Sequence, residues 1–227
     1  MLNIITIDGP AASGKSTVAK ELARRLGWRY LDSGAFYRAL AWNAIRQGLP
    51  LNEPQVLSEL ANEAKINLLS YPEGLCIFVD GQDVTQAIRE ECVSEAASIL
   101  AEFSQVRRAL VALQQEFAAQ GMVVAEGRDM GTVVFPDARF KFFLDADLAE
   151  RARRRCEELI SRGEKASLKE VKAELAQRDK RDSTRAIAPL VPAEDALYVD
   201  STRLGVEEVV DLLLSKLKFA KACKNNK

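Results

Sequence analysis

The sequence predicts an α/β protein in which a parallel sheet is flanked by helices on both faces and carries a small antiparallel β/α insertion. Short β-branched apolar runs alternate with segments of helical periodicity, which is typical of parallel strands joined by crossover helices. The alternation stops between residues 66 and 85, where three short strand-like runs follow one another. A chain of 227 residues suits one such fold, and we expect residues 1–227 to form a single domain.

The first two strands are predicted at residues 3–7 and 28–31. NIITI is a nearly continuous apolar run, as expected for a strand that is buried on both faces. A glycine-rich stretch, DGPAASGKST, follows it, and a helical pattern then runs to Gly27. WRYL leads into DSGAFYR, and the next helix is predicted for residues 36–48.

The middle of the chain, from about residue 60 to residue 103, is predicted to be the insertion. INLLS, CIFVD and QDVT indicate a small antiparallel sheet, with the dipeptide Asp80-Gly81 as a hairpin turn. Two helices are then predicted, for residues 85–103 and 104–120, and Gly121 closes the second.

The alternation resumes with strands predicted at residues 122–126, 140–146 and 196–200. A helix is predicted for residues 148–162, capped by Asp147 with Glu150 as its reciprocal partner. A further helix contains RDKRDSTR, and the last one begins near residue 205. Because ligands of open parallel sheets bind at the carboxyl ends of the strands, the loops after the strands are the candidate sites.

Composition and charge argue against several function classes. The net charge is −1 and the pI is near 5.8, so no general surface for nucleic acid is expected. There is no apolar run of membrane-spanning length and no signal-peptide pattern at the start, which predicts a cytoplasmic protein without a membrane partner. No long apolar stripe is left once the core helices are assigned, and we therefore expect a monomer.

The four cysteines, Cys76, Cys92, Cys156 and Cys223, are widely spaced, and the chain contains no histidine. Neither a disulfide nor a structural metal site is expected from this pattern. The absence of histidine also removes the Ser/His and Cys/His nucleophilic arrangements. Chemistry in this chain must therefore rely on carboxylates, cations and backbone amides.

Residues 9–17, GPAASGKST, match the phosphate-binding pattern G-x-x-x-x-G-K-[ST] in full, between a strand and a helix as its mechanism requires. Its backbone N–H groups are expected to turn inward around a polyphosphate. We expect Lys15 to reach the β- and γ-phosphates of ATP, and the Ser16 hydroxyl to bind the accompanying Mg²⁺. The predicted ATP-binding residues are Gly9, Pro10, Ala11, Ala12, Ser13, Gly14, Lys15, Ser16 and Thr17.

A second cluster of charge, RDKRDSTR at residues 178–185, has two interpretations. Its three arginines and Asp182 fall within about 100° of arc on a helix, which by itself is typical of a solvated face with ion pairs. Transfer of a γ-phosphoryl group, however, needs mainly positioning and positive charge, which arginines supply. A GTPase switch is disfavoured because the chain lacks the guanine-reading tetrapeptide N-K-x-D.

Four segments, in this order, resemble the bacterial cytidylate kinase family: DGPAASGKST, LDSGAFYR, EGRDMGTVVFPDA and RDKRDSTRAIAPLVPA. The resemblance covers essentially the whole chain, including the insertion that sets this family apart from shorter nucleoside monophosphate kinases. It implies a P-loop kinase core with a helical lid at about residues 151–167. It also implies Mg²⁺-dependent transfer of phosphate from ATP to CMP and dCMP.

The resemblance further implies an acceptor site. Ser33 and Arg38 would hold the acceptor nucleotide, with Arg38 gripping its phosphate as a bidentate donor. Asp129 would lie near the cytosine and could select it, because its carboxylate accepts from the 4-amino group where uracil offers an acceptor. The implied CMP-binding residues are Ser33, Arg38, Ser98, Arg107, Arg128, Asp129, Arg178 and Asp182.

By the same resemblance, Arg178, Arg181 and Arg185 would converge on phosphates, and Asp182 would bind the acceptor ribose. The implied catalytic residues are Lys15, Arg128, Arg178 and Arg185. Glu126, at a strand end, is a candidate to hold a Mg²⁺-bound water. Arg154 or Arg155 would reach the triphosphate, although the pattern does not choose among Arg151, Arg153, Arg154 and Arg155.

Two alternative functions stay open at the level of sequence. One is a kinase of another small acceptor, such as UMP or AMP. The other is a P-loop protein that binds ATP to regulate a partner, against which the second set of phosphate-binding arginines argues.

Overall fold

A computed structural model describes residues 4–71 and 74–222 of the 227-residue chain. The strands are β1 (Ile4–Asp8), β2 (Arg29–Asp32), β3 (Ile66–Tyr71), β4 (Gly74–Val79), β5 (Gln82–Asp83), β6 (Val123–Gly127), β7 (Phe140–Asp145) and β8 (Leu197–Asp200). The helices are α1 (Lys15–Leu26), α2 (Ser33–Arg46), α3 (Pro54–Glu63), α4 (Glu91–Leu100), α5 (Ser104–Ala119), α6 (Leu148–Ser161), α7 (Leu168–Thr184) and α8 (Val206–Ala222). A 3₁₀ turn (Ala87–Arg89) follows β5 and a π-helical turn (Met130–Val134) follows β6.

The central sheet has the strand order β2-β6-β1-β7-β8, and all its pairs are parallel. Every residue of β1 is buried, which accounts for its continuous apolar sequence. The strand ends lie side by side, because Asp8 pairs with Gly127 and Asp32 pairs with Glu126. The loops that follow β1, β2 and β6 therefore open at one edge of the sheet, and the predicted parallel sheet with helices between its strands is confirmed.

The predicted antiparallel sheet is also present, in the order β3-β4-β5. Its turn uses Asp80 and Gly81, both with positive φ (51° and 83°), as a tight hairpin turn requires. Helix α4 packs on α2, so the insertion lies beside the strand edge that carries the candidate site.

Two local predictions were wrong. Residues 85–103 do not form one helix, because Glu90 has an extended backbone (φ −62°, ψ 145°) that separates the 3₁₀ turn from α4. Asp147 precedes α6, but its side chain accepts no hydrogen bond from the helix. Glu150 bonds instead to Arg153 and Arg154, three and four residues on, where side chains of a helix meet.

Helices α6 and α7 pack together outside the main core. Their small apolar cluster joins α6 and α7 to the phosphate loop and contains Ala11, Ala152, Cys156, Val171 and Leu175. The segment expected to form the lid thus begins within a unit that contacts the phosphate loop directly.

Cys76, Cys92 and Cys156 are free, and Cys223 lies outside the described residues. No helix in the described part of the chain is long and apolar enough to cross a membrane.

Candidate active site

The phosphate loop, residues 9–17, leaves the carboxyl end of β1 and enters α1. A side chain at Gly9 is impossible, since its Cβ would lie 2.0 Å from the Leu144 carbonyl oxygen of β7. Gly14 adopts the left-handed conformation (φ 90°) just before the helix, which favours glycine. These two glycines hold the loop close against the sheet, with its helix N-terminus facing the strand edge.

Lys15 is the first residue of α1, and its buried Nζ donates to the Pro10 carbonyl oxygen at 2.9 Å. Burial lowers the pKa of Lys15 to about 7, and the charge of Arg128 acts in the same direction. Burial thus disfavours the ammonium form, and the negative charge of a bound polyphosphate would favour it. The loop therefore suits an anionic ligand that contacts Lys15.

Ser16, Glu126 and Tyr30 form a chain of oxygen groups beside the loop. The Ser16 hydroxyl donates to Glu126 Oε1 at 2.6 Å, and the Tyr30 hydroxyl donates to the same oxygen at 3.1 Å. Burial raises the pKa of Glu126, and the nearby Asp32 adds to the effect. A hydroxyl and a carboxylate at a strand end are hard oxygen ligands of the kind Mg²⁺ prefers, so these residues fit the ion.

The turn from β2 into α2 fixes Arg38. Asp32 caps α2 by accepting from the Ala35 N–H at 3.1 Å, as expected for a turn-fixing residue. It also accepts from the Arg38 guanidinium at 2.6 Å. Gly34 makes this possible, because a Cβ there would lie 2.7 Å from Arg38 Nη1. Buried Ser33 begins α2 at the same point.

The loop after β6 carries Arg128 and Asp129, each in a different ion pair. Arg128 Nε donates to Asp182 of α7 at 2.8 Å. Asp129 is buried and accepts a hydrogen bond from the buried Arg107 of α5. Burial would lower the pKa of Arg128, but the charge of Asp182 and its hydrogen bond raise it overall. The loop is therefore tied both to α5, the helix before β6, and to α7, which lies much later in the chain.

Helix α7 carries Arg178, and Arg185 directly follows its last residue; both have side-chain donors without a partner among the described residues. Arg178 Nε and one terminal nitrogen of Arg185 are buried without a hydrogen-bond partner among the described residues. Burial, followed by the charge of Arg128, lowers the pKa of Arg178 to about 10. Buried donors of this kind need an acceptor, and neighbouring cations favour an anionic one.

Arg181 departs from the arrangement expected for it. Its guanidinium donates to Ser98 Oγ at 3.0 Å and lies 3.9 Å from Glu102, so it bonds to the insertion and not to its neighbours on α7. Ser98 lines the same cavity as Arg178 and Arg185, whereas Arg181 does not.

The arginines of α6 divide by helix face. Arg151 and Arg154, three residues apart, contact carbonyl oxygens of the phosphate loop: Ala11 O at 3.3 Å and Ser13 O at 3.4 Å, respectively. Arg153 pairs with Glu150 and Glu157, and Arg155 with Glu158 and with Glu91 of the insertion. Arg154 also donates to Ser201 O at 2.6 Å, a contact that the sequence pattern did not reveal.

Two cavities meet at the phosphate loop. The first, of 410 Å³, is lined by the whole predicted acceptor set, together with Arg185. The second, of 820 Å³, lies between the phosphate loop, α6 and residues 201–206. Both are lined by Ala12, Lys15, Ser16, Thr17, Arg155 and Glu158. The geometry suits two ligands whose anionic ends approach each other at Lys15.

Comparison with known proteins decides the family. The family model described as cytidylate kinase matches residues 5–219. The chain belongs to the cytidylate kinase family. The similarity inferred from the four segments is confirmed, and as a member of this family the chain is an enzyme, a nucleoside monophosphate kinase.

Individual family members are similar over nearly their whole length. The cytidylate kinase of Geobacillus sp. (strain WCH70) is 49% identical over 210 residues, which cover 92% of this chain and 94% of that protein. The cytidylate kinase of Pseudomonas putida (strain KT2440) is 47% identical over 219 residues, 96% of each chain. A solved gluconokinase from Sinorhizobium meliloti 1021 superposes with a TM-score of 0.50 at 14% identity, covering 99% of this chain and 95% of its own, and shows the fold alone.

Proposed function

We propose that this cytidylate kinase family member transfers the γ-phosphoryl group of MgATP directly to CMP or dCMP, giving ADP and CDP or dCDP. The observation that carries the proposal is the meeting of the two cavities at Lys15 and Ser16. ATP lies with its triphosphate in the phosphate loop and its nucleoside in the second cavity. The acceptor occupies the first cavity, with its phosphate toward Lys15.

The transfer needs no covalent intermediate. An oxygen of the acceptor phosphate forms a bond to the γ-phosphorus while the bond from that phosphorus to the β-bridging oxygen breaks, and ADP leaves. The attacking oxygen is already anionic, so no strong general base is required. The described site contains cations in abundance, and positive charge is what such a transition state needs.

Each cation has a separate place in this scheme. Lys15 neutralises charge on the β- and γ-phosphates. Arg178 and Arg185 have buried donors without partners, and they bind the migrating and acceptor phosphoryl oxygens. Arg38 and Arg128 are held by Asp32 and Asp182 and grip the acceptor phosphate from the other side. Closure of the lid over the triphosphate excludes water that would hydrolyse ATP.

Ser16 would hold Mg²⁺ and Glu126 a water bound to it. When bound, the ion neutralises phosphate charge and fixes the triphosphate geometry. The Ser16–Glu126 bond of 2.6 Å holds the two oxygen groups side by side, and the Tyr30 hydroxyl holds the Glu126 carboxylate in place.

Glu126→Gln is expected to raise the Mg²⁺ concentration needed for half-maximal ATP binding by about tenfold, as loss of an outer-sphere partner does. Affinity for CMP should change little. Titration of ATP binding against Mg²⁺ measures the effect, with Tyr30→Phe as the matched variant that removes one hydrogen bond to Glu126 and keeps its charge. If Glu126→Gln leaves the Mg²⁺ dependence unaltered, Glu126 does not contribute to Mg²⁺ binding.

The cytosine faces Asp129, and Ser98 and Arg107 complete its pocket. The charged pair of Asp129 with Arg107 fixes the carboxylate where the 4-amino group can donate to it.

We further propose a single-domain monomer with the insertion at about residues 60–103 and the lid at about 151–167. It acts on small molecules in the cytoplasm without a nucleic-acid or membrane partner.

The proposal is tested by coupled measurement of ADP release, with MgATP and CMP, dCMP, UMP, AMP, GMP or dTMP in turn, and with no acceptor. A strong response to CMP and dCMP alone supports the proposal. A response to another nucleotide would assign a different acceptor. No response above the acceptor-free rate, with ATP still bound, would favour a regulatory ATP-binding protein.

A further inference from the structure

The carboxylate of Asp8 bridges two parts of the site that come from distant segments. Asp8 ends β1, directly before the phosphate loop, and its side chain is buried. Its Oδ1 accepts from the Met130 N–H at 2.8 Å, and its Oδ2 accepts from the Gly131 N–H at 2.8 Å. These two amides follow immediately after Arg128 and Asp129.

We propose that Asp8 is a positioning residue for the acceptor site: its two hydrogen bonds fix the loop that presents Arg128 and Asp129 to the acceptor nucleotide. This proposal rests on the proposed function, because it assigns the acceptor to that loop. Asp8 itself contacts neither substrate, and it acts through the backbone of residues 130 and 131.

The local backbone shows why the loop needs this anchor. The loop enters a π-helical turn, Met130–Val134, whose first N–H groups have no partner within the turn. Asp129 itself has an irregular backbone conformation (φ −149°, ψ 24°). A carboxylate with one oxygen on each amide satisfies both donors and sets the direction in which residues 128 and 129 leave β6.

Little room is left for a side chain at Gly131. A Cβ at residue 131 would lie 3.0 Å from Thr6 Oγ1, 3.2 Å from Lys141 Cδ and 3.4 Å from Asp8 Oδ2. Thr6, two residues before Asp8 on the same face of β1, has a buried hydroxyl without a hydrogen-bond partner among the described residues. Thr6 therefore lies beside the same residue without a hydrogen bond to it, which makes it a matched control.

The raised pKa of Asp8 predicts that the anchor depends on pH. Burial raises the pKa of Asp8 to about 7; Asp129 raises it further, while the two amides and Arg128 oppose the rise. Lys141 of β7 packs against Gly131, but its ammonium group bonds to Pro136 O and to Asp195. A neutral carboxyl is a weaker acceptor than a carboxylate, so the anchor weakens as the pH falls through about 7.

The substitution Asp8→Asn keeps the shape of the side chain and mimics its neutral, protonated form. At pH 8.5 we expect it to raise the KM for CMP by about tenfold, the loss typical of a charge-assisted hydrogen bond, with the Kd for ATP within about twofold. The ratio of the variant and wild-type KM values should approach one at pH 6, where wild-type Asp8 is itself protonated. The ionisation of the substrates also changes with pH, but it affects both KM values equally and therefore cancels in this ratio. Thr6→Val should match the wild type throughout.

Amide hydrogen exchange in the substrate-free wild-type protein gives an independent test that requires neither a variant nor an active enzyme. Protection of the Met130 and Gly131 amides, corrected for intrinsic exchange, should fall as the pH is lowered from 8 to 6. Protection that does not change, a KM ratio that does not change with pH, or equal weakening of CMP and ATP binding would overturn the proposal. Absence of CMP turnover in the wild type, with the exchange result as expected, would instead overturn the proposed function.

Discussion

Replacing Lys15 with methionine is expected to lower turnover by about a thousandfold or more while the protein stays folded. Lys15 is the buried cation at which the two cavities meet, so its charge acts where the phosphoryl group moves. Its removal should cost little stability. The folded pKa of about 7 lies below the ordinary value of 10.5, so protonation of Lys15 disfavours the folded state increasingly as the pH falls from about 10.5 to 7, and fully below pH 7. At pH 6 the variant should therefore unfold at a temperature no lower than the wild type.

The experiment compares kcat for CMP phosphorylation and the melting temperature of Lys15→Met with those of Lys180→Met. Lys180 is an exposed lysine of α7, the helix that carries the phosphate-binding arginines, so this control removes one positive charge outside the cavities. Lys180→Met should match the wild type. Retained turnover in Lys15→Met would mean that the triphosphate lies elsewhere, and unfolding of Lys15→Met would assign Lys15 a structural role.

The sequence predicts the phosphate loop well because its information is local. The glycines, Lys15 and Ser16 lie within a few residues between a strand and a helix, and the backbone alone determines where they point. The parallel sheet is similarly predictable, because β1 and β6 are buried on both faces and read as apolar runs.

The pairings across the site could not be predicted in this way. Arg128 and Asp182 are 54 residues apart, and Arg181 and Ser98 are 83 apart, so only the packed fold brings them together. Helical periodicity put Arg178, Arg181 and Arg185 on one face, but α7 ends before Arg185, which is extended, and the pattern could not show that α4 lies close enough to bond Arg181. The capping box predicted for Asp147 and Glu150 is absent for a local reason, because Glu150 instead accepts hydrogen bonds from two arginines of its own helix.

Asp129→Asn is expected to reduce the preference for CMP over UMP, measured as the ratio of kcat/KM values, by about 10- to 100-fold, the range for one base-reading pair. The asparagine oxygen can still accept from Arg107, while its amide group donates toward the base. The 4-amino group of cytosine, a donor, then faces another donor, whereas the oxygen of uracil at the same position can accept from the amide. The affinity for ATP should change little, because Asp129 lines only the first of the two cavities.

The charge pair determines which variants are informative. Asp129→Ala should also relax the cytosine preference, but it leaves the buried Arg107 without its partner, at a cost of about 3–5 kcal/mol. A double variant, Asp129→Ala with Arg107→Ala, removes both charges. It should recover part of that stability without recovering the preference for CMP, since the base-reading carboxylate is absent in both. Equal loss of activity toward CMP and UMP in Asp129→Asn, with the melting temperature unchanged, would show that Asp129 positions the acceptor without reading its base.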